Sequence, residues 1–153
     1  MTISKREIIS GFRGNYWFLS NFFRRPIVFE GLFFPSSEHA YQAMKAKDDS
    51  ELFEKIRLAE NPGASKRLGH KVVLPENWER IKLDLMERIV RAKFSQHRDL
   101  RFALIETADA ELREENNWGD TFWGCVNGKG SNHLGKILME IRKELRESVF
   151  FNE

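Results

Sequence analysis

Helix-start signals recur along the chain from Ser36 onward. Ser36 or Ser37 can cap a helix that continues to Lys45, and Asn61 with Pro62 marks another start. An Asp-x-x-Glu capping pattern also begins at residue 48. Further helices are predicted at Leu52–Glu60, from about Pro75 to Phe94, at Leu100–Glu106 and at Asn132–Glu147. A chain with this many starts is predicted to be mainly helical.

The part of the chain before Ser36 consists of short apolar segments and turns. Ile27–Phe29 and Leu32–Phe34 are predicted to be two strands, joined by a turn at Glu30–Gly31. No repeat, linker or low-complexity tract divides the 153 residues, so one domain over residues 1–153 is expected. We therefore predict an α+β fold: a mainly α-helical single domain with a small antiparallel sheet.

Charge and cysteine content exclude several classes of protein. The 25 basic and 23 acidic residues give a net charge of +2, which argues against a dedicated nucleic-acid binder but not against a local basic patch. No apolar run reaches the roughly 18 residues of a membrane helix, and MTISKREIISGF has no apolar signal core. The single cysteine, Cys125, excludes an internal disulfide and a multi-cysteine metal site. We expect a cytoplasmic protein without a metal or a cofactor.

Polar side chains share one face of the first predicted helix, in the stretch PSSEHAYQAMK. At helical spacing this face presents Glu38, Tyr41, Gln42 and Lys45. The Cα atoms of Glu38 and Lys45 would be about 10 Å apart, so both side chains could reach one small ligand. The alternative is a solvated face with a glutamate that suits the helix dipole. His39 lies off this face and is expected to be packed or exposed rather than a ligand.

A second candidate is the loop NNWGDTFWG, in which Asp120 lies between Trp118 and Trp123. Two indoles around an acid can form a carboxylate-bearing pocket, where flat rings stack on a base or cover a sugar. The alternative is a loop anchored by the tryptophans, in which Asp120 caps a turn. The sequence is equally compatible with both.

A third candidate is NGKGSNHLGK, a glycine-containing loop that leads into a helix near Ser131 or Asn132. Free backbone N–H groups at such a start can bind an anion such as phosphate. The spacing matches neither a Walker A loop nor GxGxxG, so a simple turn before a capped helix is the alternative. The nearby Cys125 is expected to be a small packed residue.

Six segments, taken in order, carry a resemblance to a known family. They are YWFLSNFF (Tyr16–Phe23), FPSSEHAYQAMK (Phe34–Lys45), NWERIKLDLM (Asn77–Met86), KFSQHRDLRFALIET (Lys93–Thr107), NNWGDTFWG (Asn116–Gly124) and GKGSNHLGKILMEIR (Gly128–Arg142). Together they resemble the NADAR family, also called YbiA-like, from about Gly11 to Leu145. The density of matched aromatic residues in the right order makes the joint resemblance specific.

The resemblance implies an N-glycosidase. Some members of the family are described as hydrolysing reactive ribosylated intermediates of riboflavin synthesis, and others as removing ADP-ribose from guanine bases. It implies cleavage of a C1′–N bond in a small ribosyl phosphate or ADP-ribosyl substrate, with modified nucleic acid as a further candidate partner and no membrane partner. A basic strip would favour nucleic acid; its candidates are Arg24, Arg25, Lys66, Arg67 and Lys71. The alternative is a non-catalytic module that binds ADP-ribose or a related nucleotide.

Carried onto this chain, the resemblance implies three catalytic residues. Glu38 and Asp120 would serve as acid/base and electrostatic groups, and Lys45 as a Schiff-base nucleophile or a phosphate ligand. Burial would lower the pKa of the lysine, whereas the Glu38 carboxylate would raise it. The implied substrate-binding residues are Phe18, Asn21, Tyr41, Gln42, Trp78, Trp118, Trp123, Gly130, Asn132 and Arg142. The stretch CVNGKG is bulkier than the Gly-rich segment common in the family, so the pocket there is not fixed by the resemblance.

Overall fold

Six α-helices and four short strands, with one 3₁₀ helix, make up most of residues 6–151, the part of the chain that this computed structural model describes. In chain order they are β1 (Ile8–Ser10), the 3₁₀ helix (Gly14–Leu19), β2 (Ile27–Phe29), β3 (Leu32–Phe34), α1 (Ser37–Met44), α2 (Ser50–Arg57), α3 (Pro62–Gly69), α4 (Trp78–Gln96), α5 (Arg98–Glu106), β4 (Glu111–Arg113) and α6 (His133–Phe151). The predicted α+β, mainly helical fold is confirmed. No helix within these residues is long and apolar enough to cross a membrane.

The chain divides into two units. The continuous unit is Asn21–Gln96, and the two-segment unit combines residues 6–20 with residues 97–151. The expectation that residues 1–153 form a single domain stays a prediction.

A hairpin opens the continuous unit. β2 and β3 are antiparallel, with Val28 paired with Phe33. The two turn residues Glu30 and Gly31 both have positive φ, 50° and 77°, as a two-residue turn of the type that suits strand twist requires. Both predicted strands and their turn are confirmed.

The helix caps agree with the sequence signals to within a residue or two. Ser36 caps α1, where its side chain accepts a hydrogen bond from the N–H of His39, and Asn61 caps α3 in the same way. The cap of α2 is Asp49 rather than Asp48. α4 begins at Trp78, three residues after the predicted start, because a turn at Pro75 precedes it.

α1 lies at the centre of the continuous unit, in contact with α2, α3 and α4. Every residue from Ser37 to Met44 is buried. A helix that is buried on all sides and still carries polar side chains must place each of them against a specific partner.

A parallel strand pair organises the two-segment unit. β1 pairs with β4, with Ile9 opposite Leu112, and α6 packs against β4 and α5. This parallel pair is a two-stranded sheet of its own, separate from the predicted antiparallel one. β4 was not predicted, because a three-residue strand with charged residues on both sides of Leu112 shows no strand pattern, and its partner lies about a hundred residues earlier.

Candidate active site

The polar face of α1 is buried. The exposed fractions of Glu38, Tyr41 and Gln42 are 7%, 6% and 3%, and only Lys45 keeps intermediate exposure. The alternative of a solvated face is therefore wrong. Burying a carboxylate is costly unless it is hydrogen-bonded or paired, so the surroundings of Glu38 decide what this face can do.

Glu38 is held in the first turn of α1 by two contacts. The Gln42 side-chain amide donates a hydrogen bond to Glu38 Oε1 at 2.7 Å, and the Glu38 N–H donates to the Asn21 carbonyl at 3.1 Å. The first turn of a helix favours a negative charge. The carboxylate therefore has a fixed direction in a mostly water-excluded place.

Gln42 is itself held in a narrow space. Within the described residues its Oε1 has no hydrogen-bond partner, although the atom is buried. Gly69, at the end of α3, lies so close that a Cβ atom there would collide with the Gln42 side chain. Gly69 thus leaves room for the side chain that orients Glu38.

Lys45 is at the end of the polar face, beside the Tyr41 ring, which in turn packs against another aromatic ring. Its Nζ lies 5.4 Å from the centre of the Tyr41 ring, and that ring packs at 5.4 Å and 50° against Trp78. Burial lowers the pKa of Lys45, the Glu38 carboxylate raises it, and Lys66 and Lys82 lower it further, with a net decrease. Of the two opposing effects that the sequence suggested, burial prevails, and the ammonium group loses its proton more easily than an ordinary lysine.

Three other residues in and around α1 contact protein groups within the continuous unit. Trp78 is 3% exposed against Tyr41, and the Asn21 amide donates to Met86 Sδ at 3.3 Å. His39 is fully buried, with Nδ1 2.7 Å from Ser36 Oγ and Nε2 3.0 Å from the Ala59 carbonyl. Of the two placements expected for His39, packed or exposed, the structure has the packed one. Trp78 and Asn21 contact protein groups that support α1.

Lys93, on α4, was not singled out from the sequence, yet it is only 1% exposed. Its Nζ lies 5.5 Å from the ring centre of Phe23 and 5.3 Å from that of Phe94. Burial lowers the pKa of Lys93 from 10.5 to about 7. In the sequence, Lys93 looks like an ordinary surface lysine, because the spacing of apolar residues along α4 does not show how deeply this part of the helix is buried.

This buried lysine predicts how stability depends on pH. Between about pH 7 and 10.5 the unfolded chain binds the Lys93 proton and the folded chain does not, so the free energy of unfolding rises with pH. The rise from pH 7 to 10 is on the order of 3 kcal/mol for this group alone. Urea unfolding at several pH values should show this rise in the native chain and a flatter profile for Lys93→Met. If the free energy of unfolding of Lys93→Met depended on pH as it does in the native chain, this prediction would be wrong.

In the two-segment unit, Asp120 organises the loop between the two tryptophans. Its Oδ1 accepts hydrogen bonds from the N–H groups of Phe122 and Trp123, at 3.0 and 2.9 Å. This is the turn-capping arrangement. For Oδ2, no hydrogen bond is found within residues 6–151, so the same carboxylate also has an oxygen available. Capping and a chemical role are compatible here.

The two tryptophans differ in exposure. Trp118 is 59% exposed, whereas Trp123 is half-buried and packs edge-on against Phe122 at 4.8 Å. Trp118 therefore exposes ring surface that a flat ligand could contact. Phe18, in the 3₁₀ helix of the same unit, is also half-buried.

Asn116 holds this loop together and was not singled out from the sequence. Its amide donates to the Asp120 carbonyl at 2.9 Å and to Glu114 Oε2 at 2.9 Å. Its Oδ1 accepts from the N–H groups of Asp120 and Trp118. An asparagine three residues before the Gly119–Asp120 pair is the signal that could have found it, since Asn side chains bond to the backbone of the turns they begin.

The expectation of free backbone N–H groups at the start of α6 is wrong. The N–H of Ser131 donates to the Thr121 carbonyl at 2.8 Å, and that of Asn132 to the Gly124 carbonyl at 3.2 Å. The side chain of Asn132 is also occupied: Oδ1 accepts from the Glu114 N–H and Nδ2 donates to the Leu112 carbonyl. Donors that already serve the preceding loop are not available to a phosphate group.

Gly130 is required by close packing and by its backbone conformation. It has a φ of 149°, and a Cβ there would collide with the Gly124 carbonyl. Its part in substrate binding stays a prediction.

Arg142 lies away from the Asp120 loop. Its guanidinium donates to Thr107 Oγ1 at 2.9 Å, and the residue is 5% exposed. Leu134, whose N–H bonds to the Trp123 carbonyl, is eight residues earlier on α6, which corresponds to about 12 Å along the helix axis. The structure thus places Arg142 beside the turn after α5 rather than beside Asp120.

Cys125 is a packed residue of the two-segment unit. Cys125 is 3% exposed, and burial raises the pKa of its thiol, as expected for a packed residue. Among the described residues there is no group of three or more His, Cys, Asp or Glu side chains that could hold a metal ion.

Comparison with known proteins gives consistent matches. Residues 9–146 match the NADAR domain. The N-glycosidase YbiA of Shigella flexneri serotype 5b (strain 8401) is 42% identical over 134 residues, which are 86% of this chain and 82% of that protein. A riboflavin biosynthesis protein of Vibrio vulnificus (strain YJ016) is 41% identical over 144 residues, 90% of this chain but 38% of that protein. The NMR structure of the E. coli protein YbiA aligns with a TM-score of 0.83 and 38% identity, covering 97% of this chain and 90% of that chain.

Proposed function

This chain belongs to the NADAR domain family, and on that premise we propose how it acts as an N-glycosidase, a hydrolase of N-glycosyl compounds. The substrate is a ribosyl compound that carries a phosphate or diphosphate, and the bond broken joins C1′ to a nitrogen. The observation that carries the proposal is the buried Glu38 carboxylate, held by Gln42 on the same helix face as a lysine with a lowered pKa.

Glu38 has the surroundings that the reaction needs. Cleavage of a glycosidic bond passes through a transition state with positive charge on C1′ and the ring oxygen. A fixed carboxylate in a water-poor place stabilises that charge more than a mobile, solvated one. The same group can donate a proton to the departing nitrogen or remove one from water.

Lys45 acts as the nucleophile in this proposal. Its neutral amine forms a bond to C1′ as the bond from C1′ to the base nitrogen breaks, and the base leaves with a proton. Loss of the amine proton and opening of the ring leave a Schiff base at C1′. Water then adds to C1′ and releases the lysine, so the net change is hydrolysis. The lowered pKa of Lys45 supports this role over that of a permanently charged phosphate ligand.

Asp120 remains a second catalytic candidate, with Trp118 as a stacking surface. The available Oδ2 of Asp120 and the exposed ring of Trp118 support these roles. The Tyr41 ring contacts Lys45, and Trp78 packs against that ring.

A free metabolite is the favoured substrate. The related Vibrio vulnificus protein is named for riboflavin biosynthesis, which supports a ribosylaminopyrimidine phosphate. Lys66 and Lys82 lie near enough to Lys45 to lower its pKa, so positive charge that suits a phosphate surrounds this lysine. ADP-ribosylated guanine in nucleic acid is the other substrate to be tested.

The test is a product screen by mass spectrometry. The purified chain is incubated with ribosylaminopyrimidine phosphates and, separately, with an oligonucleotide carrying ADP-ribosylated guanine. We expect release of the free base and the ribose phosphate from the pyrimidine compounds. Release of ADP-ribose from the oligonucleotide alone would assign the other substrate. Binding of either compound by calorimetry, with no product after long incubation, would favour a non-catalytic module instead.

Gly69 provides a test of how Glu38 is oriented. In Gly69→Ala the added Cβ displaces the Gln42 side chain, and we expect kcat/KM to fall by about tenfold to a hundredfold. Overpacking should also cost about 1–3 kcal/mol of stability. The matched control is Gly63→Ala in the same helix. There the atom nearest to an added Cβ is Asn61 Oδ1, at 3.3 Å. Native turnover in Gly69→Ala would show that Gln42 does not orient Glu38.

A further inference from the structure

A cavity lies on the two-segment unit, along α6. Its volume is about 880 Å³, within the range of small-molecule sites. Five of the nine residues that line it are basic and three are acidic. The basic residues come from two parts of the chain, since Arg6 precedes β1 and the other four are on α6.

Arg142 is the buried member of this cavity. It is 5% exposed, yet its only hydrogen bond with the described residues is the one to Thr107 Oγ1. A guanidinium has five N–H donors. Every nitrogen of the Arg142 side chain that lacks a hydrogen bond keeps some exposed surface. The remaining donors therefore face the cavity rather than the protein interior. A buried cation with open donors is costly unless an anion meets it.

The positive charge around Arg142 is not balanced by its neighbours. Arg146 bonds to the Asp109 carboxylate at 2.9 Å, and Arg6 bonds to the Asp109 carbonyl. Two guanidinium groups thus bond to Asp109, and the charge of Arg142 also lowers the pKa of its carboxyl group. Burial and the like charges of Arg6 and Arg146 lower the pKa of Arg142, which shows that these groups lie close enough to repel one another. Even with Glu140 and Glu147 included, the lining keeps a net charge of +2.

We propose that this cavity binds phosphate groups through Arg6, Arg142 and Arg146. Guanidinium groups suit phosphate because their N–H donors match its oxygens in pairs. Lys143, one residue after Arg142, adds a further cation at the cavity wall. The phosphate can belong to a free nucleotide or to the backbone of a single-stranded nucleic acid, and the experiment separates these sources.

The cavity is lined by none of the residues that carry the reaction proposed above. Arg142 is about 12 Å along α6 from the point where that helix meets the Asp120 loop. Neither Glu38 nor Lys45 lines the cavity. Phosphate binding there does not require the chain to be a glycosidase, so the two proposals fail independently.

NMR of the full-length chain provides the test. We titrate inorganic phosphate, ADP and a single-stranded oligonucleotide of about twelve nucleotides, and follow the backbone amides of residues 107–109 and 139–147 together with the Arg142 side chain. We expect saturable shifts at these positions below about 10 mM for at least one ligand. ADP binding that phosphate displaces would identify a nucleotide site. Tighter, strongly salt-dependent binding of the oligonucleotide would identify a backbone site.

Charge reversal provides the control for this titration. Arg146→Glu should weaken the binding at least about tenfold, because it adds a carboxylate where a guanidinium stood. Lys55→Glu, an equal charge change at an exposed position on α2, should change it less than about twofold. Turnover of the N-glycoside should be unchanged in Arg146→Glu. The proposal is overturned if no ligand shifts residues 107–109 in the native chain, or if Arg146→Glu binds as tightly as Lys55→Glu.

Discussion

Replacing Glu38 by glutamine is expected to lower kcat/KM by about a thousandfold or more while the fold stays intact. The amide is nearly the same shape as the carboxylate, and its oxygen can still accept the hydrogen bond from Gln42. What disappears is the negative charge that stabilises positive charge at C1′, together with the capacity to take or give a proton at that place. Steady-state kinetics on the substrate from the product screen measure the loss.

A matched control separates this effect from the loss of any helix-terminal charge. Glu51 occupies the first turn of α2 as Glu38 occupies that of α1, but it is exposed. Glu51→Gln should therefore keep kcat/KM within about twofold and cost only a few tenths of a kcal/mol of stability. If Glu38→Gln retained near-native turnover with native far-UV circular dichroism, a catalytic role for Glu38 would be excluded.

Lys45 should be irreplaceable even by arginine. In Lys45→Met the amine is lost, and in Lys45→Arg a positive charge remains that cannot become a neutral nucleophile. If Lys45 attacks C1′, both variants should lose about three orders of magnitude or more in kcat. A phosphate-binding lysine would behave differently, because arginine would preserve much of the binding. Substantial turnover in Lys45→Arg would therefore reject the Schiff-base route.

The covalent intermediate and the pH profile test the same step directly. Borohydride added during turnover should reduce the Schiff base to a stable adduct, visible by mass spectrometry in the native chain and absent from Lys45→Met. Lys47→Met is the control, because Lys47 is two residues away, exposed and paired with Glu30. Because burial lowers the pKa of Lys45, the rate should increase with pH and level off below 10.5, the ordinary value for lysine.

Local signals in the sequence predicted the parts of the fold that depend on neighbouring residues. The caps at Ser36 and Asn61 and the turn at Glu30–Gly31 are set by side chains and backbone conformations within a few residues. Glu38 and Gln42 were predicted to share a helix face, and the hydrogen bond between them is one that a spacing of four residues allows. Such contacts need no knowledge of the rest of the chain.

Features that depend on distant segments escaped prediction. The depth of Lys93 and the fit of Gly69 against Gln42 arise from helices packing together. The N–H groups at the start of α6 seemed free because the sequence does not show that the loop before them folds back to accept their hydrogen bonds. Arg142 was assigned to substrate binding by resemblance alone, and its bond to Thr107 joins residues 35 positions apart.

The division of the chain has a consequence for its synthesis on the ribosome. Asn21–Gln96 is one uninterrupted segment, so it can assemble its core while the rest of the chain is still being made. The other unit has to wait, because β1 has no strand to pair with until β4, about a hundred residues later, has emerged. The exposed edge of β1 is open to incorrect partners during that interval. A premature stop between residues 96 and 111 would therefore release the region around Glu38 and Lys45 together with an unpaired strand.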